Sequence, residues 1–332
     1  MDFVKPIVNG IDTFLAWLGV ILKEDTSSYC DLETAEDQYT LVATDGSLIS
    51  LIQIEGVRYL IGQEEFNRLQ EGINATFQSS MKRLGHAFQF FFYYDRDEIS
   101  TELKKTLEPA IATAKRLNLD LDDVFRERTS YLSQFCGHEK VYLAIWTRPY
   151  FLTKEQLKRS SKDKIERLKA AKIPPLKNVQ NIAAGFSDIR DTHESFVKSV
   201  VNDFESFGLV NHLVEVHDAL FAIRKIADPD FTDVTWRPVL PGDKIPFREV
   251  NELAGDLAEI MWPPLKTQIL PRDVENKDLR TVRIGDKIYR SVFIDLFPQE
   301  VKPFLHLFNR ILSTKIPWRM SFWVESGGVF GY

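Results

Sequence analysis

Apolar positions recur along this chain in three kinds of pattern, and the first opens it. In "DFVKPIVNGIDTFLAWLGVILK" (residues 2–23), Phe3, Val4, Ile7, Val8, Ile11, Phe14, Leu15, Leu18, Ile21 and Leu22 share one side of a helical wheel, an arc of about 140°. Lys5, Asn9, Asp12, Thr13, Ala16 and Gly19 fill the other side. Pro6 suits a first turn, so the spacing predicts an amphipathic helix from about Pro6 to Lys23. A membrane-spanning helix needs about 20 nearly uncharged residues, and Asp12 leaves an uncharged run only from Thr13 to Leu22. The start Met1-Asp2 lacks the basic residues of a secretory signal. Two placements stay open: docking on a membrane or partner, or packing on the chain's own body. The polar side carries only Lys5 and Lys23 against Asp12, which favours a protein partner at the membrane over bare lipid.

The second pattern is strand-like. After the polar connection "KEDTSSYCDLETAEDQ", the segment "TLVATDGSLISLIQIEG" sets an Asp45-Gly46 turn between two apolar runs, a hairpin signature. Phe66, Leu69, Ile73, Phe77, Met81 and Leu84 then keep helical period, and "FQFFFYY" (Phe88 to Tyr94) reads as a strand covered on both faces. The order strand, strand, helix, strand returns near the end. "RTVRIGDKIYRSVFIDLF" places a Gly285-Asp286 turn between strands, Val301, Phe304, Leu305, Phe308, Ile311 and Leu312 keep helical period, and "PWRMSFWVES" closes as a strand.

Helices fill the middle. They are expected near Ile99 to Asn118, split or kinked by Pro109, at Asp122 to Phe135, at Asp191 to Phe207 and at Val210 to Ala227, with a strand at Lys140 to Trp146. A charged helix from Lys154 to Lys172 holds eight basic and three acidic side chains, and is either a solvated face or an anionic contact surface. Pro229, Pro238, Pro241 and Pro246 mark a candidate boundary. The fold class expected is α+β, two strand-strand-helix-strand units with intervening helices and an N-terminal amphipathic helix. The segments would be 1–28 (docking helix and linker), 29–150 (first α+β unit), 151–235 (helical) and 236–332 (second α+β unit).

Composition narrows function by exclusion. At 332 residues the chain is long enough for a sizeable core, and a net charge of -6 argues against a chain-wide nucleic-acid surface. Cys30 and Cys136 lie too far apart to show a pairing pattern and suit reduced thiols. No Gly-Lys dipeptide occurs, so the phosphate-cradling loop of nucleotide hydrolases is absent from the sequence; "GDKI" at Gly242 and Gly285 reads as turns. His86, His138, His193, His212, His217 and His306 form no zinc spacing, "GFSDI" around Ser187 lacks the second glycine of a nucleophile elbow, and Asp243 with Glu249 is a carboxylate pair of the kind chance supplies. These readings assign no catalytic residue, cofactor-binding residue or metal ligand.

The apolar first stretch, "DQYTLVATDGSLISLIQIEG", the aromatic strand "FQFFFYYDR" and the late "IYRSVFIDLFP" together resemble the N-terminal domain of the large type IV secretion ATPases, the TraC, TrbE and CagE kind, and within it the Dot/Icm branch. The resemblance covers nearly the whole chain and rests on hairpin and core patterns. It implies a cytoplasmic component, peripheral on the bacterial inner membrane, that docks on inner-membrane secretion subunits and self-associates on a hexamer basis. A RecA-like motor domain with ATP and Mg would be expected after residue 332, and the second ATPase DotB would be met through the full-length protein. No cofactor and no nucleic acid is expected for this segment, which the resemblance makes a docking module and not itself an enzyme. Phe3, Ile7, Ile11, Phe14, Leu15, Leu18 and Leu22 are the expected docking residues. The alternative is a free-standing carboxylate-based hydrolase whose first helix packs in its own core.

Overall fold

The computed structural model describes residues 30–94, 99–136, 139–170, 180–228, 230–243, 262–271, 274–276, 281–290, 306, 309–311, 313 and 318–326. The expected N-terminal helix, with Phe3, Ile7, Ile11, Phe14, Leu15, Leu18 and Leu22, lies outside the described residues, as does most of the helix expected from Val301 to Leu312.

The fold is α+β. Ten strands are described: β1 (Leu32–Ala35), β2 (Leu41–Ala43), β3 (Leu48–Val57), β4 (His86–Tyr94), β5 (Glu139–Thr147), β6 (Leu209–Leu213), β7 (Val274–Asn276), β8 (Thr281–Ile284), β9 (Lys287–Arg290) and β10 (Trp318–Glu325). The helices are α1 (Gln63–Ser80), α2 (Ile99–Arg116), α3 (Asp122–Leu132), α4 (Lys154–Ala170), α5 (Ser187–Ser206), α6 (Val216–Ala227) and the short α7 (Leu265–Ile269). One sheet runs β1-β2-β3-β5-β4-β10, with β6 pairing to β3 off that path, and β7-β8-β9 form a second, three-stranded sheet. The chain divides into two compact units, one of Met1–Gln89, Leu143–Phe293 and Trp323–Tyr332, the other of Phe90–Tyr142 and Ile294–Phe322. This division does not coincide with the segments 1–28, 29–150, 151–235 and 236–332 expected from the sequence.

In the first unit the β2–β3 hairpin forms where the Asp45-Gly46 signal placed it. Gly46 adopts φ +85°, Ala43 N–H donates to Ser47 C=O at 2.9 Å, and the Asp45 carboxylate accepts from Ser47 N–H at 2.8 Å. The β3 residues Leu48 to Ile52 are all buried, which a strand manages only when both faces are covered. One face lies under α5, whose buried Ile189, His193, Phe196, Val197, Val200 and Phe204 recur at helical spacing. Phe77 of α1 and Phe88 of β4 complete an aromatic core with Phe196 and Phe204, their ring centroids 4.6 to 6.1 Å apart in edge and tilted contacts.

Four expectations are corrected. The polar connection before the hairpin contains β1, because Thr34 buries its hydroxyl by donating to Gln180 Oε1 at 3.1 Å. Val210 to Ala227 is not one helix. Gly208, at φ +81°, lets the chain turn after α5, and Leu209–Leu213 pairs antiparallel with β3, so that His212 stands on a strand and His217 on α6. Pro109 does not split α2, since Lys105, whose carbonyl loses its i+4 donor, is on the exposed side where water replaces the bond. The stretch from Pro229 to Pro246 is not a boundary where it is described. Val239 C=O accepts from Gln180 and Gln268 amides at 2.7 and 3.1 Å, and Arg224 lies over Phe231 and Trp236 at 4.4 and 4.3 Å.

The late β8–β9 hairpin turns at Gly285 (φ +58°) and Asp286 as expected, but it belongs to its own sheet, while β10 lies beside β4. In the second unit α2 and α3 form a helical hairpin, Phe92 meets Phe322 edge-on at 5.9 Å, and Lys140 pairs with Glu102 at 3.1 Å. Phe90 to Phe92 are only half-buried, less than a strand covered on both faces would be. Among the described residues no helix is long and apolar enough to cross a membrane.

Candidate functional site

Strand alternation sends Thr147 to one face of β5 and its neighbours Trp146 and Arg148 to the other, so a single stretch serves both a core node and an open cleft. On the core face the His193 ring lies between two hydroxyls, with Nε2 at 3.0 Å from Ser50 Oγ and Nδ1 at 2.8 Å from Thr147 Oγ1. Ser50 spends its proton on Tyr39 C=O at 2.8 Å. It must therefore accept from Nε2–H, and Nδ1 in turn accepts from Thr147, which fixes the neutral tautomer. A hydroxyl beside an imidazole is the arrangement of a nucleophile and its base, but here the serine donates to the backbone and all three side chains are buried. The node cross-links β3, β5 and α5. Desolvation, with a smaller contribution from His86, holds His193 down to about 3. His86 lies flat on Phe196, ring centroids 3.8 Å apart, and desolvation followed by the charge of Arg83 lowers it to about 4.

On the other face is a cleft of about 310 Å³ lined by Asp31, Ala43, Thr44, Asp45, Gln89, Trp146, Arg148 and Trp323. Arg148 fills its cationic place. The guanidinium lies 4.9 Å from the Trp323 ring and 5.6 Å from the Trp146 ring, with Nε 3.2 Å from Glu325 Oε1 and an Nη 3.8 Å from Asp45. Glu325 also accepts from Trp323 Nε1 at 3.2 Å, so one carboxylate orients both the ring and the cation over it. Carboxylates beside indole faces make surroundings for a positive charge, and the chain supplies that charge itself.

The remaining candidates from the sequence are dispersed. His217 pairs with Asp243 at 2.9 Å, closing the turn at Gly242, and Glu249 lies outside the described residues. Ser187 donates to Asp163 at 3.1 Å and ties α5 to α4. No group of three or more His, Cys, Asp or Glu side chains able to hold a metal occurs among the described residues.

Unspent chemistry lies on the surface. In the first unit Tyr59, Leu60, Ile61 and Phe66 are exposed at the entry to α1, Tyr59 by 76% and Leu60 completely. Helical period predicted α1 and places Phe66 on its apolar side, and the structure leaves Phe66 half exposed. In the second unit Val124, Tyr131 and Phe135 lie on one side at and just beyond α3, each more than half exposed. Apolar residues of this size grouped in the open mark interaction surfaces. No family model and no curated protein matches the chain.

Proposed function

We propose that this chain is a docking and self-association module that joins a larger motor to its membrane-side partners, as the resemblance to the N-terminal domain of type IV secretion ATPases implies. The Dot/Icm branch of that kind is the template for the reading. The module would sit peripherally at the inner membrane, contact secretion subunits there, and pass to the parent protein the nucleotide chemistry and the meeting with DotB.

The observation that carries the proposal is the apolar group Tyr59, Leu60, Ile61 and Phe66, exposed on consecutive loop residues and the first turn of α1. Burying side chains of this size contributes about 1.5 to 3 kcal/mol each, so covering four supplies enough for reversible association after ordering costs. Sedimentation velocity of the unmodified chain and of Leu60→Asp/Phe66→Asp tests it. The expected result is concentration-dependent self-association of the first and a monomer for the second, with unchanged circular dichroism. A chain that stays monomeric at about 100 μM, roughly where contacts of this strength should already act, removes the self-association arm. Replacing Ile11, Leu15 and Leu18 by polar residues tests the membrane-side arm, which fails if the variant still fractionates with inner membranes.

A further inference from the structure

α4 packs on α5 through one side only. Ser160 donates to Asp188 at 2.6 Å, Arg159 pairs with the same carboxylate, and Lys164 reaches Ala184 C=O at 2.6 Å over the Phe186 ring. Along the opposite ridge the helix exposes Lys154, Lys158, Lys162, Ile165 and Lys169, which fall within an arc of about 80° at 100° per residue. None of these four lysines forms an ion pair among the described residues, whereas Arg159 and Lys164 are used to hold the helix down. Glu155 and Glu166 flank one edge of the ridge. Four positive charges thus stand in a row of roughly 22 Å at 1.5 Å rise per residue, on a chain whose net charge is -6.

We infer that this ridge is a contact for an anionic phospholipid surface. A straight, outward-facing row meets a flat bilayer along its whole length at once, and flexible lysine stems let each ammonium settle among the headgroups. The apolar residue set among the lysines is Ile165, 53% exposed, an aliphatic side chain of the sort that enters the headgroup–acyl boundary. Single-stranded nucleic-acid sites add aromatic or guanidinium faces on which bases stack, and this ridge presents neither among its exposed members. The sequence 2–23 has an apolar pattern without a basic belt, whereas the exposed ridge of α4 is a basic belt with the single apolar residue Ile165 among its lysines. The inference rests on the reading of the chain as a membrane-side module and names its lipid contact.

Co-sedimentation of the full chain with vesicles of phosphatidylcholine containing about one-third phosphatidylglycerol is the test, beside pure phosphatidylcholine vesicles. Each lysine near such a surface contributes about fivefold in partition, so Lys154→Gln/Lys158→Gln/Lys162→Gln/Lys169→Gln should weaken binding by on the order of a hundredfold or more. Binding should also fall steeply with salt. All four positions are exposed, so the variant should melt as the unmodified chain does. Equal binding to charged and neutral vesicles, or a variant that binds within about threefold of the unmodified chain, overturns the inference. So does tighter capture of oligouridylate or of polyglutamate that the same four substitutions abolish, which would assign the ridge to nucleic acid or to an acidic protein. If the lysine variant keeps its vesicle binding while the Ile11/Leu15/Leu18 variant loses membrane fractionation, the lipid contact of α4 falls and the docking module stands. If the unmodified chain neither binds vesicles nor self-associates, both fall together.

Discussion

Acidification from pH 7 to pH 5 should destabilise the first unit through its two core imidazoles, and the loss can be worked from their surroundings. An ordinary histidine titrates near 6.5, while burial takes His193 to about 3 and burial with Arg83 takes His86 to about 4. Below pH 6.5 the unfolded chain therefore binds protons that the folded chain refuses, and stability falls as pH drops until each folded value is reached. The stabilisation is complete above pH 6.5 and disappears between there and pH 3 to 4. Across the two units from pH 7 to pH 5 the linkage amounts to roughly 2 kcal/mol for each ring, about 4 kcal/mol together. Against a typical net stability of about 5 to 15 kcal/mol, that is a large fraction. Urea unfolding at pH 7 and pH 5, followed by near-ultraviolet circular dichroism, measures it. His193→Gln can keep the donor to Ser50 while stranding the Thr147 hydroxyl, so the variant should start about 1 to 3 kcal/mol less stable at pH 7. It should then lose only about 2 kcal/mol on reaching pH 5, because one titrating ring is gone. A variant with the full pH dependence of the unmodified chain would refute the assignment of that dependence to the His193 node.

Three further outcomes follow from particular contacts. Arg148→Lys keeps the charge beside Glu325 but loses the flat cation against Trp146 and Trp323, so it should cost about 1 kcal/mol and Arg148→Ala about 2 kcal/mol, read as shifts in unfolding free energy. Pro109→Ala restores a helical donor inside α2 and should raise stability by about 1 to 3 kcal/mol, with a gain in helical dichroism; a loss would mean that the proline ring makes contacts its exposure does not show. Cys136 is exposed, while Cys30 is half-buried with its thiol raised by burial, so labelling with a disulfide reagent at pH 8 should be biphasic, and Cys136→Ser should remove the fast phase.

The elements most legible in the sequence are those whose signal is local. Asp45-Gly46 and Gly285-Asp286 announce hairpins because a turn needs particular residues at particular places, and α5 announces itself by an unbroken stripe from Ile189 to Phe204. What the sequence concealed depends on distant partners. β1 has only Leu32 and Ala35 to mark it, and its anchor is Gln180, 146 residues from Thr34. β6 is five residues long and shows no alternation of apolar and polar positions, too little signal to outweigh the helical period that resumes at Val216, and its pairing to β3 is what makes it a strand. The His193 node was illegible for the same reason, since Ser50, Thr147 and His193 share no motif and meet only when β3, β5 and α5 are assembled. For the surfaces the failure is of another kind. Period alone places Phe66 on the apolar side of α1, but it does not say whether anything covers that side at the first turn.

The division of polar chemistry between interior and surface gives the proposed role its physical basis. In the core, Ser50 gives its proton to Tyr39, Thr147 gives its own to His193, and Gln180 donates to Val239 and Pro263 carbonyls while accepting from Thr34. In the cleft, Arg148 already stands where a bound cation would stand. Groups satisfied in this way rigidify a scaffold, because each one freed would cost its full desolvation. The ridge lysines Lys154, Lys158, Lys162 and Lys169 of α4 and the apolar residues before α1 have no such use among the described residues, and each is free to lower the free energy of the molecule when something else arrives. A scaffold that leaves such groups on its outside suits the proposed docking role, and removing those groups should leave the fold intact while abolishing what it holds. That separation of effects is what distinguishes a docking module from an enzyme on the same scaffold, in which loss of function would follow substitutions in the cleft around Arg148 or at the His193 node instead.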